Sequence, residues 1–382
     1  MEQLIPLKQV LMLVGELDDA QGPNPARERF RTFLSENLTQ IGDMRDYIEE
    51  CLRTPGDQYN KALQDLVNHL GRLLGFDVTF GRYRGVQGEI GYDGIWKSPS
   101  GLYIVIEVKT SDVYTIYTST LIGYIDKLIS EHVIPDWDHA LGLYVIGRND
   151  YGVKQLENTI IAEKRTDKLR IITADKLLSL AELLADYEVA HEAVLTVLQP
   201  MGPMIDPLVE LISSLVAQEI NVEVNPLYET DELNSEPSEN NNDTKYYLAL
   251  VASHEGQSAD EWIKILLNAG IYAITKHSSL QEIKQGDRIC FYVAGKGVVA
   301  HAQVKSPPVK TTHPLISPGD KYQYIIELES ISIYAENPVV LDAELREQLD
   351  AFQGRDPSKS WAWFVQCTRE ITKHDFMLLT KQ

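Results

Sequence analysis

The sequence predicts a two-part chain: an α/β domain with a mixed sheet flanked by helices, then a second, mainly β domain. Three observations predict it. Apolar residues at helical spacing over 57–75 lead into strand-like runs that alternate with helical stretches up to residue 220. The stretch 221–243, NVEVNPLYETDELNSEPSENNND, is acidic and poor in apolar residues, the composition of a flexible linker. Beyond it, β-branched and aromatic runs follow one another with turns between them, the pattern of a small curved barrel.

Each element follows in order. Residues 1–55 read as helices broken at QGPNP (21–25). Leu63, Leu66, Val67, Leu70, Leu73 and Leu74 fall on one helical face, closed by Gly75. FDVTFGRY alternates as a strand does. GEIGYDGIWK and GLYIVIEVKT read as two strands joined at SPSG. A helix is expected over about 117–132, a buried strand at HALGLYVIG (139–147), a helix at 151–164, a strand at 169–174 and mostly helix over 175–220. The expected organisation is a helical segment 1–55, an α/β domain 56–220, a linker 221–243 and a β domain 244–382. In that last domain KYYLALVAS, GIYAIT, DRICFYVAG, GVVAHAQVK and YQYIIELESISIY are the strands, and ADEWIKILLNAG the helix.

Cys51, Cys290 and Cys367 lack the spacing of a disulfide framework or zinc knuckle, so a reducing, cytoplasmic setting is expected. The first residues lack a charged n-region and a small-residue cleavage site, and no apolar run approaches membrane-spanning length, so neither a leader nor a membrane partner is expected. The net charge of −21 is unevenly placed: residues 244–382 carry 15 basic and 16 acidic residues, leaving 20 and 40 for residues 1–243. Such acidity argues against a general nucleic-acid coat. Any nucleic acid must meet local basic patches or metal ions.

YDGIWKSPSGLYIVIEVKTSD (92–112) carries the chemistry. Alternation along a strand puts Glu107 and Lys109 on one face. A hairpin centred on SPSG brings Asp93 beside Glu107. Two carboxylates and the backbone carbonyl of Val108 suit Mg²⁺, or Mn²⁺, as hard oxygen ligands. Such an ion activates water against a phosphodiester, with Lys109 orienting the water or neutralising charge. The plainer alternative is a surface ion pair at a strand end, with Asp93 a turn residue. In FGRYRG (80–85), Arg82 and Arg84 are candidate phosphate contacts and Tyr83 a stacking platform.

YDG…IVIEVKT resembles the PD-(D/E)xK nuclease superfamily, and the preceding helix with LLGFDV resembles Mrr-type restriction endonucleases, over roughly residues 57–185. The resemblance implies a restriction-endonuclease-like fold, with Asp93 and Glu107 as metal ligands and Lys109 as the catalytic lysine. Many relatives carry a Glu on the helix before the core, where this chain has Gln64 with Asp65 beside it. Gln64 is then a candidate to hold a metal-bound water, and the number of metals stays open.

The opening strand, the Trp-bearing helix, GDRICFYVAGKGVVAHAQV and REITKHDFMLL resemble, in their order, EVE domains of the PUA/YTH-like superfamily, over about 245–380. That resemblance implies a reader that flips a modified base into an aromatic pocket. Ser253, Trp262, Trp361 and Trp363 are the candidate pocket residues, Trp361 and Trp363 by period-two spacing on one strand face. Core packing is the alternative role for each tryptophan. His254 reads as a plain surface histidine.

Together the two resemblances imply a Mg²⁺-dependent endonuclease that cuts DNA containing a modified base, modified cytosine foremost, in phage defence. Double-strand cleavage needs two sites, so a homodimer is expected, with residues 1–55 as available surface. An RNA-directed nuclease, a nuclease switched on by a small nucleotide, and a non-catalytic binding module remain as alternatives.

Overall fold

The computed structural model describes residues 5–38, 41–85, 90–110, 116–147, 151–186, 191–199, 202–213, 244–252, 254, 257–275, 278–316, 322–355, 361–366 and 368–381. The expected linker 221–243 and Ser253 lie outside them. The chain divides into two compact units near residue 211. Among the described residues, no helix is long and apolar enough to cross a membrane.

The first unit opens with helices α1 (Leu7–Val14), α2 (Ala26–Asn37), α3 (Ile41–Arg53) and α4 (Asp57–Leu73). A five-stranded mixed sheet follows: β1 (Asp77–Phe80), β2 (Gly94–Lys97), β3 (Tyr103–Lys109), β4 (Ala140–Ile146) and β5 (Leu169–Thr173), in that spatial order. β1, β2 and β3 form an antiparallel meander, while β3, β4 and β5 run parallel. The change of sense follows from the connections. A tight turn joins β2 to β3, whereas parallel neighbours need crossovers, here holding helices α5 (Thr118–Ser130) and α6 (Tyr151–Ala162). All seven residues of β4 are buried, as its apolar sequence predicts for a strand covered on both faces.

At SPSG the Gly101 amide donates to the Ser98 carbonyl at 2.9 Å, with Gly101 at φ +91°. That positive φ is the reason a glycine stands there.

The first 55 residues are not a separate body. Phe30, Leu34, Met44, Tyr47 and Ile48 share one apolar core with Leu63, Leu66, Val67 and Trp96. α3 is fastened to α7 (Ala174–Asp186) by a buried charge cluster. The Arg45 Nε donates to Glu182 at 2.7 Å, and its Nη1 reaches Asp175 at 3.1 Å and Glu49 at 3.4 Å.

α4 is buried almost all round its middle, so its polar residues face protein rather than water. Gly71 leaves a notch for Trp96: a Cβ there would lie 2.5 Å from the indole. The Trp96 Nε1 donates to Asn68 Oδ1 at 3.0 Å, tying β2 to α4.

The second unit is built on β6 (Tyr246–Val251), β7 (Ile271–Ile274), β8 (Arg288–Val293), β9 (Gly297–Val304), β10 (Val309–Lys310), β11 (Tyr324–Ile333) and β12 (Arg369–Ile371). The sheet runs β10-β11-β9-β8-β6-β12, with β7 also on β11. β11 is the strand that bends it. Its first half pairs with β7 and its second half with β9, across a bulge between Glu329 and Ser332 where Ser330 takes φ +49°. The sequence predicts a barrel; the result is an open half-barrel ending at β10 and β12.

The turn expected at GDR (286–288) falls at Gln285 and Gly286, and Arg288 already opens β8. Asp287 accepts the amides of Lys245 at 2.9 Å and Lys284 at 2.8 Å.

Candidate active site and aromatic clusters

The β2–β3 register pairs Gly94 with Ile106, which sets Asp93 beside the end of β3. The Asp93 amide donates to the Ile106 carbonyl at 3.0 Å, and its carboxylate accepts the Val108 amide at 2.6 Å. Val108, expected to contribute its carbonyl, meets Asp93 through its N–H. Lys109 Nζ donates to Glu107 Oε1. The alternation argument therefore holds, and a surface ion pair does not describe it: Glu107 is 5% exposed.

The electrostatics are those of a crowded anionic pocket. Burial, and then the charge of Glu107, pushes the Asp93 carboxyl up to about 8. Burial also raises Glu107, and Lys109 only partly offsets it. For Lys109 burial acts downward, but Glu107 and Asp93 outweigh it and hold the ammonium above its ordinary value. Lys109 is therefore a cation at neutral pH rather than a base. Glu107 Oε2 is buried and makes no hydrogen bond. An orphaned carboxylate oxygen beside a second carboxylate is a donor set that fits a hard divalent cation.

α4 braces this site. Asn68 Nδ2 donates to the Asp93 carbonyl at 2.9 Å, and Gln64 Nε2 donates to the carbonyls of Arg82 at 3.1 Å and Asp93 at 3.4 Å. Gln64 thus acts on the backbone that carries Asp93. Asp65 is not a third ligand, because it is fully buried in an ion pair with Arg31 at 3.1 Å. Gly94 is a glycine because a Cβ there would meet Asn68 Oδ1 at 1.9 Å. Gly94→Ala is expected to destabilise the chain by about 1–3 kcal/mol through forced displacement of Asn68, read by urea unfolding. An unchanged midpoint would show that Asn68 is not the brace.

The loop with Arg82 and Arg84 is held by the amino-terminal helical region. Asp19 accepts the amides of Tyr83 at 3.2 Å and Arg84 at 2.9 Å, and Arg31 donates to the Gly81 carbonyl at 3.0 Å. Arg84 is exposed and Arg82 half-buried. The Tyr83 hydroxyl donates to buried Asp65, and the Arg31 guanidinium lies 5.6 Å from its ring.

Sequence reasoning missed Tyr124 of α5. Its hydroxyl sits 3.0 Å from where a Cβ on Gly91 would be, and its pKa is raised by burial and then by Glu107. A tyrosine on an amphipathic helix reads as packing, and only the crossover brings it to the carboxylates.

In the second unit the tryptophans separate. Trp262 is buried, 4.4 Å from the His254 ring, which lies 5.1 Å from Tyr322. His254 is thus a buried packing residue rather than a surface one. Trp361 and Trp363 belong to a second apolar cluster. They do not share a strand face, because Trp361 caps and Trp363 lies within a 3₁₀ turn, Ala362–Phe364. The period-two expectation fails since alternation applies only to extended backbone.

No family model matches the chain, and no curated protein does. Among solved structures it is similar to the YTH domain of the Zygosaccharomyces rouxii MRB1 protein, in complex with N6-methyladenosine RNA. Identity is 16%, over 37% of this chain and 85% of that one, with a TM-score of 0.23.

Proposed function

We propose that the chain is a metal-dependent nuclease whose second unit reads a modified base in DNA, modified cytosine foremost, in phage defence. One observation carries the catalytic part: the buried, unpartnered Glu107 oxygen beside Asp93, with Lys109 against the same carboxylate. Asp93 and Glu107 would hold Mg²⁺, or Mn²⁺, which supplies Lewis acidity toward a phosphoryl oxygen and a more acidic water.

The chain's own residues do the rest. Lys109, kept cationic by its two carboxylates, offsets charge developing on the phosphoryl group. Asn68 and Gln64 fix the Asp93 backbone, and the Val108 amide orients its carboxylate. Arg82 and Arg84 stand on the loop hydrogen-bonded to Asp93 through Gly81, where a strand's phosphates would pass. The reading of the second unit rests on its sheet, bent at the β11 bulge, and on the order of its sequence motifs. Two sites are needed to cut both strands, so the working form is proposed to be a homodimer.

The test is a Mg²⁺-dependent cleavage assay on matched DNAs carrying cytosine, 5-methylcytosine, 5-hydroxymethylcytosine or its glucosylated form, with a structured RNA alongside. Cutting confined to a modified DNA supports both parts. Cutting of RNA alone replaces the DNA reading, and no cutting of any substrate sinks the catalytic one.

A further inference from the structure

The first unit lays an acidic run against its basic loop. GELDDA (15–20) lies between α1 and α2, and GRYRG (81–85) follows β1. Leu17 anchors the run. Its side chain is fully buried, its amide donates to Gln58 Oε1 at 2.7 Å, and its carbonyl accepts from Lys61 Nζ at 2.8 Å. Two residues on, the Asp19 carboxylate spans two successive amides. It accepts that of Tyr83 on Oδ1 at 3.2 Å and that of Arg84 on Oδ2 at 2.9 Å. Arg27 Nη1 is a third donor, 3.2 Å from Oδ1. The neighbouring Asp18 instead accepts the Ala20 amide of its own run at 3.1 Å.

The donors around Asp19 are those of an anion site. Successive backbone amides aimed at one point, with a guanidinium beside them, bind carboxylate and phosphate alike. Their place is next to the candidate metal ligand. The Gly81 amide donates to the Asp93 carbonyl at 2.9 Å, and a Cβ on Gly81 would lie 2.1 Å from the Tyr92 carbonyl oxygen. Arg31 holds the Gly81 carbonyl at 3.0 Å independently of Asp19, so the loop keeps a second tether. The Asp19 side chain is 18% exposed, and residues 20–24 after it are exposed, with open space where a Cβ on Gly22 would stand. Asp19 can therefore swing away while Leu17 stays in the core.

We propose that the Tyr83 and Arg84 amides, with Arg27, form a seat for one phosphodiester of the DNA strand, and that the Asp19 carboxylate fills this seat at rest. The proposal rests on the reading of the first unit as a nuclease, and it adds a contact and a competitor that the reading does not contain. A carboxylate presents one negative charge on two oxygens, as a phosphodiester does, so the same donors serve both. A strand that enters must displace Asp19 and break its hydrogen bonds to the loop and to Arg27. That offset acts on every sequence alike, because the contact is to the backbone and not to a base.

The experiment is fluorescence anisotropy of the full chain with a labelled DNA duplex in EDTA, beside Mg²⁺-dependent cleavage by wild type. Asp19→Asn and Asp19→Ser are expected to bind about tenfold more tightly than wild type, the scale of one charge-assisted hydrogen bond. Asp18→Asn makes the same change of net charge one residue away, and is expected to stay within about twofold of wild type. Arg27→Gln added to Asp19→Asn is expected to cancel most of the gain, and a gain that survives it removes Arg27 from the seat. Asp19 variants that bind no better than Asp18→Asn overturn the seat. Weaker binding overturns it too, and makes Asp19 a brace for the loop. In either case cleavage by wild type leaves the nuclease reading standing. Absence of binding by every variant, together with absence of wild-type cleavage, overturns both.

Discussion

Asp93→Asn is expected to lower Mg²⁺-dependent cleavage by about 10³-fold, and Lys109→Ala by about 10²–10³-fold, the usual cost of removing a group that meets transition-state charge. The asparagine keeps an oxygen for the Val108 amide, which lies 2.6 Å from the native carboxylate, so the fold is not at stake. What it removes is one of the two charges that face the proposed cation. Binding gives a second readout, independent of turnover. Mg²⁺ is expected to raise the melting temperature of wild type, since a ligand bound only by the folded state stabilises it. The rise is expected to vanish in Asp93→Asn and in Glu107→Gln, and to survive in Lys109→Ala. Cleavage by Asp93→Asn within a few-fold of wild type would remove Asp93 from the mechanism. A rise that persists in both carboxylate variants would place the cation elsewhere.

Arg45→Ala is expected to cost about 3–5 kcal/mol, the range for breaking a buried ion pair by removing one partner. The residue is 1% exposed, and its loss removes the guanidinium that meets Glu182, also 1% exposed, while Arg53 stays with Glu49 and Lys176 with Asp175. Lysine would not replace it, because one ammonium cannot reproduce the forked contacts to Glu182 and Asp175. The pH dependence has a definite sign. Without the guanidinium, Glu49, already raised by burial in the native protein, loses one of the two cations that offset that rise. A raised carboxyl favours the folded state at low pH and loses that contribution as pH climbs. The deficit of Arg45→Ala is therefore expected to grow between pH 5 and pH 8. Chemical denaturation of both proteins at the two pH values measures it. A loss under about 1 kcal/mol at pH 8 would mean that the α3–α7 contact is held by apolar packing alone.

How much was legible varied with the range of the signal. The order of elements in the first unit was legible because buried strands and amphipathic helices leave local periodicities. β4 and α4 are the clearest cases. Glu107 and Lys109 were legible as a pair because strand alternation is local, and Asp93 because a four-residue turn makes the hairpin register countable. Tyr124 was not legible, since its approach depends on how a crossover packs. Nor was the bracing of the Arg82–Arg84 loop by Asp19 and Arg31, which are 65 and 50 positions from the groups they hold.

The tryptophans show the opposite failure. A period of two suggested a strand at 361–363, but the chain makes a 3₁₀ turn there. The Arg355 and Arg369 guanidiniums lie against the Trp363 ring. The sequence by itself determined the two kinds of domain and the juxtaposition of Asp93, Glu107 and Lys109, because backbone periodicity and short-turn geometry act over a few residues. Only the tertiary structure decided which polar side chains are buried, and which of those lack a partner. Burial is a property of what packs against a residue from far along the chain, and it turns an ordinary strand-end ion pair into a candidate catalytic centre.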